Sequence, residues 1–503
     1  MQEQVDFVRL REFMAKHHKF TAPVPDSDDL ESMLIQYRTY MEQHGFAEHA
    51  INTYLKKARC AFDICDDIFQ TSPEYSLIRK LMYEYEQASM PRDKRNQNYV
   101  VYPVDVVLIV VMLAKLCGYN NCKQYAKFWF SANPYLQCLV PCMPAPRYMI
   151  SRETIATCLK LVPDDGYEKI FEEMFADVKI KLKDLLLNDD PNPENKSYRP
   201  TIGGDGQELK ASYRKGETSR HKKGNHAVVV FNCDDRVALG YTAVKLKNHE
   251  VDGFMHILNK IEVPQDGIFY ADAINTRKSL IDFLNARKLD WLFAIKEQKA
   301  TKLMYETVSE LLKAETDSKF RKVLAPKITA GRIEERTVEA VDIPEGITQN
   351  NFSAKSAIKV TKHTVFKING AKTPKQDTTV TRYYISSLDC DEENFEQIAH
   401  SISVRWYYEQ HHNTIDEVLL QDRQAVCDED HLAAIIGLNK FAYNVLSFAR
   451  QKLSKEGYSR IKHRSSKFRP MSYEETISTL DDDPSLAFTI LLRYLTNPNA
   501  DAD

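Results

Sequence analysis

The sequence predicts an α/β core with covered sheet faces, preceded by helical regions and interrupted by a β-rich stretch. Three observations predict it. Apolar residues recur at helical spacing up to residue 187 and at alternate positions after residue 200. Strand-like and helix-like runs alternate between 226 and 296, as in a sheet with helices on its faces. From 318 to 388 the pattern is β again.

Composition narrows the classes. At 503 residues the chain is long for one domain, and two to four are expected. An apolar fraction of 43% with 10% aromatics is ample for packed cores. The formal net charge of −3 excludes a polycation, so any nucleic acid must be met by local basic patches. No signal peptide opens the chain at "MQEQVDFVRL", and ten cysteines are scattered without a disulfide framework. A reduced, cytoplasmic setting is expected, nucleoid-associated if the partner is DNA. Val104 to Leu116 is the most apolar stretch, but Asp105 and Lys115 interrupt it and it is too short to span a bilayer. It reads as a buried helix, and no membrane partner is expected. Cys117, Cys122, Cys138 and Cys142 are spaced loosely for zinc and read as small buried hydrophobes.

The elements follow in order. Residues 26–66 read as two helices: Asp26 and Ser27 offer caps, Leu30, Leu34, Tyr37 and Met41 make a stripe, and Gly45 ends it before the Ile51–Cys65 stripe. The segment "YRTYMEQHGFAEHAINTYLKKARCAFDI" resembles the helical DNA-clamping domain of tyrosine recombinases, with a packing module as the other reading. A polar stretch at 90–98 leads to a second helical region that ends in an amphipathic helix, "YEKIFEEMFADVKIKLKDLLL". "NDDPNPENKSYRP" is the clearest linker. "HAVVVFN" and "RVALGYTAVKLK" then read as a hairpin turning at Cys233-Asp234-Asp235. A helix over 250–261, the strand ending at Asp272, a helix over 277–288 and the strand "WLFAIK" complete the alternation. The β stretch contains "RIEERTVEAVDI", "AIKVTKHTVFKI", an Asn369-Gly370 turn and "TVTRYYISSL". Residues 393–450 return to helix, and 450–470 are basic.

The candidate chemistry lies in acids. Asp272 ends a core strand, where burying a carboxylate is costly. Asp205 sits in the glycine-rich "TIGGDGQEL". Glu409 and Asp416 are seven apart and would share one helix face, with His412 and Asn413 between them. Three converging carboxylates repel one another unless a cation neutralises them, and oxygen-only donors favour Mg²⁺ or Mn²⁺. Two such ions about 4 Å apart serve phosphoryl transfer. Spacing alone leaves this open, because acids commonly end strands and cap helices.

The basic residues divide the same way. "SYRKGETSRHKKGNH" carries Arg214, Lys215, Arg220, Lys222 and Lys223, and a phosphate-tracking loop is preferred there to a solvated one. Arg332 and Arg336 share one strand face, suited to clamping a DNA strand end. Arg405 either pairs with Glu409 one turn away or meets a phosphate. Trp406 reads as a core residue before a base-stacking one, and His411 and His412 as ordinary helix residues before metal ligands. Glu250 either supports the acids from behind or is a solvated helix-start acid.

From about residue 100 to 450 the chain resembles an insertion-sequence DDE transposase of the H-repeat-associated type. "MPAPRYMISRETIATCLKLVPDDGYEKIFEEMF", "IGGDGQELKAS", "LKNHEV", "IFYADAINTRKSLIDFLNARKLDWLFAIKEQ", "AGRIEER", "TRYYISSL" and "VRWYYEQHH" match its segments in family order. The resemblance implies a ribonuclease H-like core with a β-rich insertion, with Asp205, Asp272 and Glu409 as catalytic acids holding two Mg²⁺ or Mn²⁺ ions. It implies metal-dependent cleavage at element ends, strand transfer into target DNA, and a homodimer on double-stranded DNA. A non-cutting DNA-binding descendant of a transposase, or a nuclease without strand transfer, are the alternatives. Gln207 and Glu297-Gln298-Lys299 depart from the family pattern. So does Asp416, where related transposases place Lys or Arg, which leaves it a supporting residue or a replacement ligand. The first 95 residues have no counterpart in the family, and pattern and resemblance together divide the chain into a helical N-terminal domain at 1–95 with DNA contact as one reading, a helical domain at 96–187 and the linker at 188–200. The core follows at 201–300, the insertion at 301–390, the core's helical end at 391–450 and a basic tail at 451–503.

Overall fold

A computed structural model describes residues 30–43, 45–49, 51–52, 55–56, 95, 100–102, 104–132, 150–162, 198–209, 225–244, 249–261, 263, 266–313, 318–329, 332–347, 352–366, 376–424, 429–455 and 471–496. These fall into two compact units. One holds the described residues up to 162 and from 414 onward, and the other the sheet between 198 and 413.

The first unit is helical. Helix α1 (Leu30–Gln43) carries an Arg38–Glu42 pair at 3.2 Å and is followed by Gly45 at φ +74°, a left-handed stop. Helix α2 (Val104–Leu116) is apolar on all sides and buried. It hides even Lys115, whose Nζ donates to Asn120 Oδ1 at 2.5 Å and to the Leu419 carbonyl at 2.9 Å. Burial holds that amine well below its usual pKa. Helix α3 (Cys122–Ser131) is capped by Asn121, and α4 (Arg152–Leu159) by Ser151, each side chain accepting from a first-turn N–H. Cys117 is buried and its thiol donates to the Leu480 carbonyl at 3.2 Å, as a small hydrophobe would sit; Cys138 and Cys142 lie outside the described residues.

The second unit is built on one mixed sheet of β1 (Thr201–Glu208), β2 (His226–Asn232), β3 (Val237–Val244), β4 (Ile268–Ala271), β5 (Asp290–Ile295), β6 (Phe320–Thr329), β7 (Arg332–Asp342), β8 (Ser356–Phe366) and β9 (Gln376–Ser386). Its order is β3-β2-β1-β4-β5-β9-β8-β7-β6. Strands β1, β4 and β5 run parallel, β2 antiparallel to β1 and β3 antiparallel to β2, and the β-rich stretch continues the sheet through an antiparallel β5–β9 pairing. Edge strand β6 contains Pro326 where its register with β7 shifts, and several lysines; both discourage further pairing.

Helices α5 (Glu250–Lys260), α6 (Lys278–Ala286) and α7 (Lys302–Leu311) supply Phe254, Ile257, Leu280, Leu284 and Val308 to one face, against Val228, Phe269, Trp291 and Phe293. Helix α8 (Glu392–Val404) supplies Phe395, Ile398 and Ile402 to the other, against Ile268, Tyr270, Leu292 and Tyr384. Residues 268 to 271 therefore alternate between two cores, which is why the strand is apolar throughout. Short helix α9 (Trp406–Asn413) follows α8 directly.

In the first unit the chain resumes with a π-helical turn, Thr414–Val418, closed by Leu419 N–H to the Thr414 carbonyl at 3.0 Å. The α-helical period that would align Asp416 with Glu409 thus stops at Asn413. Helix α10 (Glu429–Lys455) follows. Its stretch His431–Lys455 is long and apolar enough by composition to span a bilayer, and 83% of that window is buried, as in a core helix. Helices α11 (Tyr473–Asp482) and α12 (Pro484–Thr496) come next, α11 with a Ser472/Glu475 capping box. The segment expected as a basic tail therefore contains a folded part, because Leu480, Phe488, Leu491 and Leu495 bury themselves. The basic residues of 456–470 lie outside the described residues.

Candidate active site

The register of β1 and β4 brings two acids together. Gly203 pairs with Tyr270 and Gly204 with Ala271, so the next residue on each strand sets Asp205 beside Asp272. Strand β4 stops at Ala271, and Asp272 emerges into solvent at the start of a 3-10 turn, Ala273–Asn275. Its carboxylate is therefore not buried. The turn is held from below: Gln298 Nε2 donates to the Ala273 carbonyl and Thr276 Oγ1 to the Ala294 carbonyl, both at 2.6 Å. Gln298, a departure from the family pattern in sequence, fixes the loop that carries Asp272.

Asp205 accepts from Gly206 N–H at 2.8 Å. Burial, then the charges of Glu250 and Asp272, push its pKa up to about 7, against the opposing pull of that hydrogen bond and of Arg405. The side chain nonetheless keeps 44% of its surface open, on the solvent side of the sheet edge.

Glu250 is buried at the start of α5 and accepts from Asn275 Nδ2 at 3.0 Å. It is not the solvated helix-start acid of the second reading, because helix and turn close over it. Gly206 makes this possible: a Cβ there would stand 2.2 Å from Glu250 Oε1. Gly206→Ala is expected to lower the thermal midpoint, and adding Glu250→Ala to recover part of the loss. The two changes should couple by about 0.5–3 kcal/mol in a double-mutant cycle. Strict additivity would show that the two residues do not compete for this space.

Helix α9 brings the third acid. Tyr408 donates to the Asp205 and Val229 carbonyls at 3.3 Å each and stands edge-on to Phe231, while His411 is buried beside the same ring. That anchored face leaves Glu409 exposed and paired with Arg405 Nη2 at 3.2 Å. Arg405 lies over the Tyr270 ring, 5.1 Å from its centroid, and its charge acts on Asp205, Asp272 and Glu409 alike. It contacts Glu409 directly and reaches the two aspartates through its charge. Among the described residues no three His, Cys, Asp or Glu side chains stand gathered as a metal-holding group.

His412 was read as an ordinary helix residue, yet its Nε2 lies 3.9 Å from Asp205 Oδ2. Only the packing of α9 on β1 and β2 reveals this; the sequence held no signal beyond the histidine itself. Burial pulls its pKa down to about 4, so the ring is neutral near pH 7. Asp416 belongs to the helical unit and not to this one.

Beside Glu409, the sheet carries a basic recess. Arg336 on β7 and Lys362 on β8 are direct cross-strand partners, and Arg382 on β9 faces Val360. With Arg405, Trp406, Val380 and Tyr384 they line one hollow that includes Glu409. Arg336 also pairs with buried Glu334 at 3.0 Å. Trp406 is half-buried, its ring covered by Lys327 Nζ at 3.4 Å, so it is a wall of this recess and not a core residue. Arg332 opens β7, but its side chain lies outside the described residues, as do Arg214, Lys215, Arg220, Lys222 and Lys223.

Comparison with known proteins decides the family. Residues 194–445, half of the chain, match the model of the transposase DDE domain. The chain belongs to this DDE transposase family. The transposase is 22% identical over 357 residues to "Putative transposase YncI" of Escherichia coli O157:H7, covering 70% of this chain and 84% of the relative. It is 21% identical over 208 residues to a protein of the same name in Escherichia coli strain K12, covering 41% and 75%. Among solved structures it is similar to the piggyBac transposase synaptic complex with hairpin DNA, with a TM-score of 0.32, 12% identity, and 86% and 81% of the two chains covered. The matched domain spans every acid of the site.

Proposed function

We propose that this transposase cuts DNA at the ends of its element and joins the freed 3′ ends to target DNA, using Asp205, Asp272 and Glu409 as its catalytic acids. The observation that carries this reading is the parallel β1–β4 register, which sets two carboxylates side by side at a sheet edge with a third within Arg405's reach. The order β3-β2-β1-β4-β5 supports a ribonuclease H-like core, with β6 to β9 as the insertion.

The donors fit a divalent cation. They are hard carboxylate oxygens, and the burial and repulsion that raise Asp205 are offset by positive charge. Asp205, Asp272 and Glu409 would hold Mg²⁺ or Mn²⁺, which, when bound as a pair, supplies an activated water or 3′-hydroxyl and stabilises the leaving oxygen.

The chain's own residues do the rest. Arg336, Lys362 and Arg382 grip the phosphodiester backbone along the recess, as point charges that need no base contact. Arg405 exchanges Glu409 for a phosphate, which frees the third carboxylate to join the two aspartates. Glu250 and Asn275 keep β1 and the Asp272 turn at a fixed separation. The partners are double-stranded element ends and target DNA, met by a homodimer in the bacterial cytoplasm, where the nucleoid lies.

The test is a DNA fragment carrying the gene's own flanks, incubated with purified protein and Mg²⁺ or Mn²⁺ beside Asp272→Ala. Discrete breaks at the flanks, strand-joined products and their absence in the variant are expected. Binding without breaks would support a DNA-binding descendant, and breaks without joining a nuclease.

A further inference from the structure

Helix α9 packs on Phe231 through Tyr408 and His411, and His412 stands on the side of Asp205. Its ring lies 4.7 Å from that of Tyr408, tilted by 44°, which sets the direction of its nitrogens. Nε2 is buried, has no hydrogen-bond partner, and stands 3.9 Å from Asp205 Oδ2, outside hydrogen-bonding reach. A buried ring nitrogen without a partner costs free energy, so a fold that aims one at a carboxylate implies something between them.

We propose that His412 Nε2 and the Asp205 carboxylate bind one divalent cation between them, adding a nitrogen donor to the three acids. The proposal rests on the reading of those acids as metal-holding. Two donors about 2.1 Å from a shared ion stand between about 3 and about 4.2 Å apart, and the observed separation lies in that range. Unlike an all-oxygen set, a site with imidazole favours Mn²⁺ over Mg²⁺, since borderline transition ions gain more from nitrogen. His412 would thereby bias which cation the transposase uses.

The test is electron spin-echo spectroscopy of the full chain with one equivalent of Mn²⁺ and no DNA. Wild type is expected to show ¹⁴N modulation that survives in His411→Gln and disappears in His412→Gln. In His412→Gln the Mn²⁺ affinity should also fall about tenfold or more, with Mg²⁺ affinity changed less. The wild-type spectrum needs no variant to fold. Mn²⁺ that is lost in Asp272→Asn but shows no ¹⁴N modulation in wild type would overturn the role of His412 and leave the three acids standing. Modulation that persists in His412→Gln would overturn it as well. If no Mn²⁺ binds in a manner that depends on Asp205 and Asp272, both readings fall together.

Discussion

Asp205→Asn is expected to lower DNA cleavage by roughly 10²–10³-fold or more, yet to make the metal-free protein more stable near pH 8. The first effect follows, under the proposed function, from removing one negative oxygen donor from the three acids. The second follows from linkage. Burial and the charges of Glu250 and Asp272 raise the folded-state pKa of Asp205 to about 7, whereas an unfolded aspartate titrates near about 3.9. Between those values the folded protein holds a proton that the unfolded chain has released. Stability therefore falls as pH rises through that window, and the penalty is complete above about pH 7. Asparagine carries no such penalty. The variant should melt higher than wild type at pH 8, and the two should converge at pH 4, below both values. Because 44% of the side chain is open, screening reduces the gain to a fraction of what the shift alone implies. Mn²⁺ should raise the wild-type midpoint at pH 8 and leave the variant's nearly unchanged. A variant that melts lower than wild type at pH 8 would show that no strain is stored at Asp205.

Trp291→Ala is expected to cost the sheet unit about 3–5 kcal/mol, the range for deleting a large buried ring. Trp291 is fully buried in β5, its Nε1 donating to Asn285 Oδ1 at 3.0 Å and its ring 5.3 Å from that of Phe293. It also sits at the seam of the sheet, where its N–H donates to Ser387 Oγ and its carbonyl accepts from Ser386 Oγ. Alanine keeps those backbone bonds and leaves Asn285, which is exposed, to water, so the loss isolates packing. The urea midpoint of the transition followed by far-ultraviolet circular dichroism measures it. A cost under about 1 kcal/mol would mean that the cavity collapses at this seam.

How much was legible can be argued from particular strands. β2, β4 and β5 are short, mainly apolar runs bounded by turns, and α2 is apolar apart from Asp105 and Lys115; such segments declare themselves because burial on both faces leaves few polar positions. β1 did not, because Gly203, Gly204 and Gly206 depress strand propensity. The glycines are there for a tertiary reason: a Cβ at Gly204 would stand 2.6 Å from the Phe269 ring, and one at Gly206 would displace Glu250. The seven-residue spacing of Glu409 and Asp416 did not reveal the π turn that begins at Thr414.

By itself, then, the sequence determined residue type and local period: an α/β unit with a long β stretch, acids at the ends of two segments and a third on a late helix, all of it chemistry that near neighbours decide. Tertiary structure decided what lies beside what. The β1–β4 register, the burial of Glu250, the charge that Arg405 brings to the acids and the approach of His412 to Asp205 join residues between 25 and more than 200 positions apart. No local pattern encodes such contacts, because they arise only when apolar faces on separate segments find the same core.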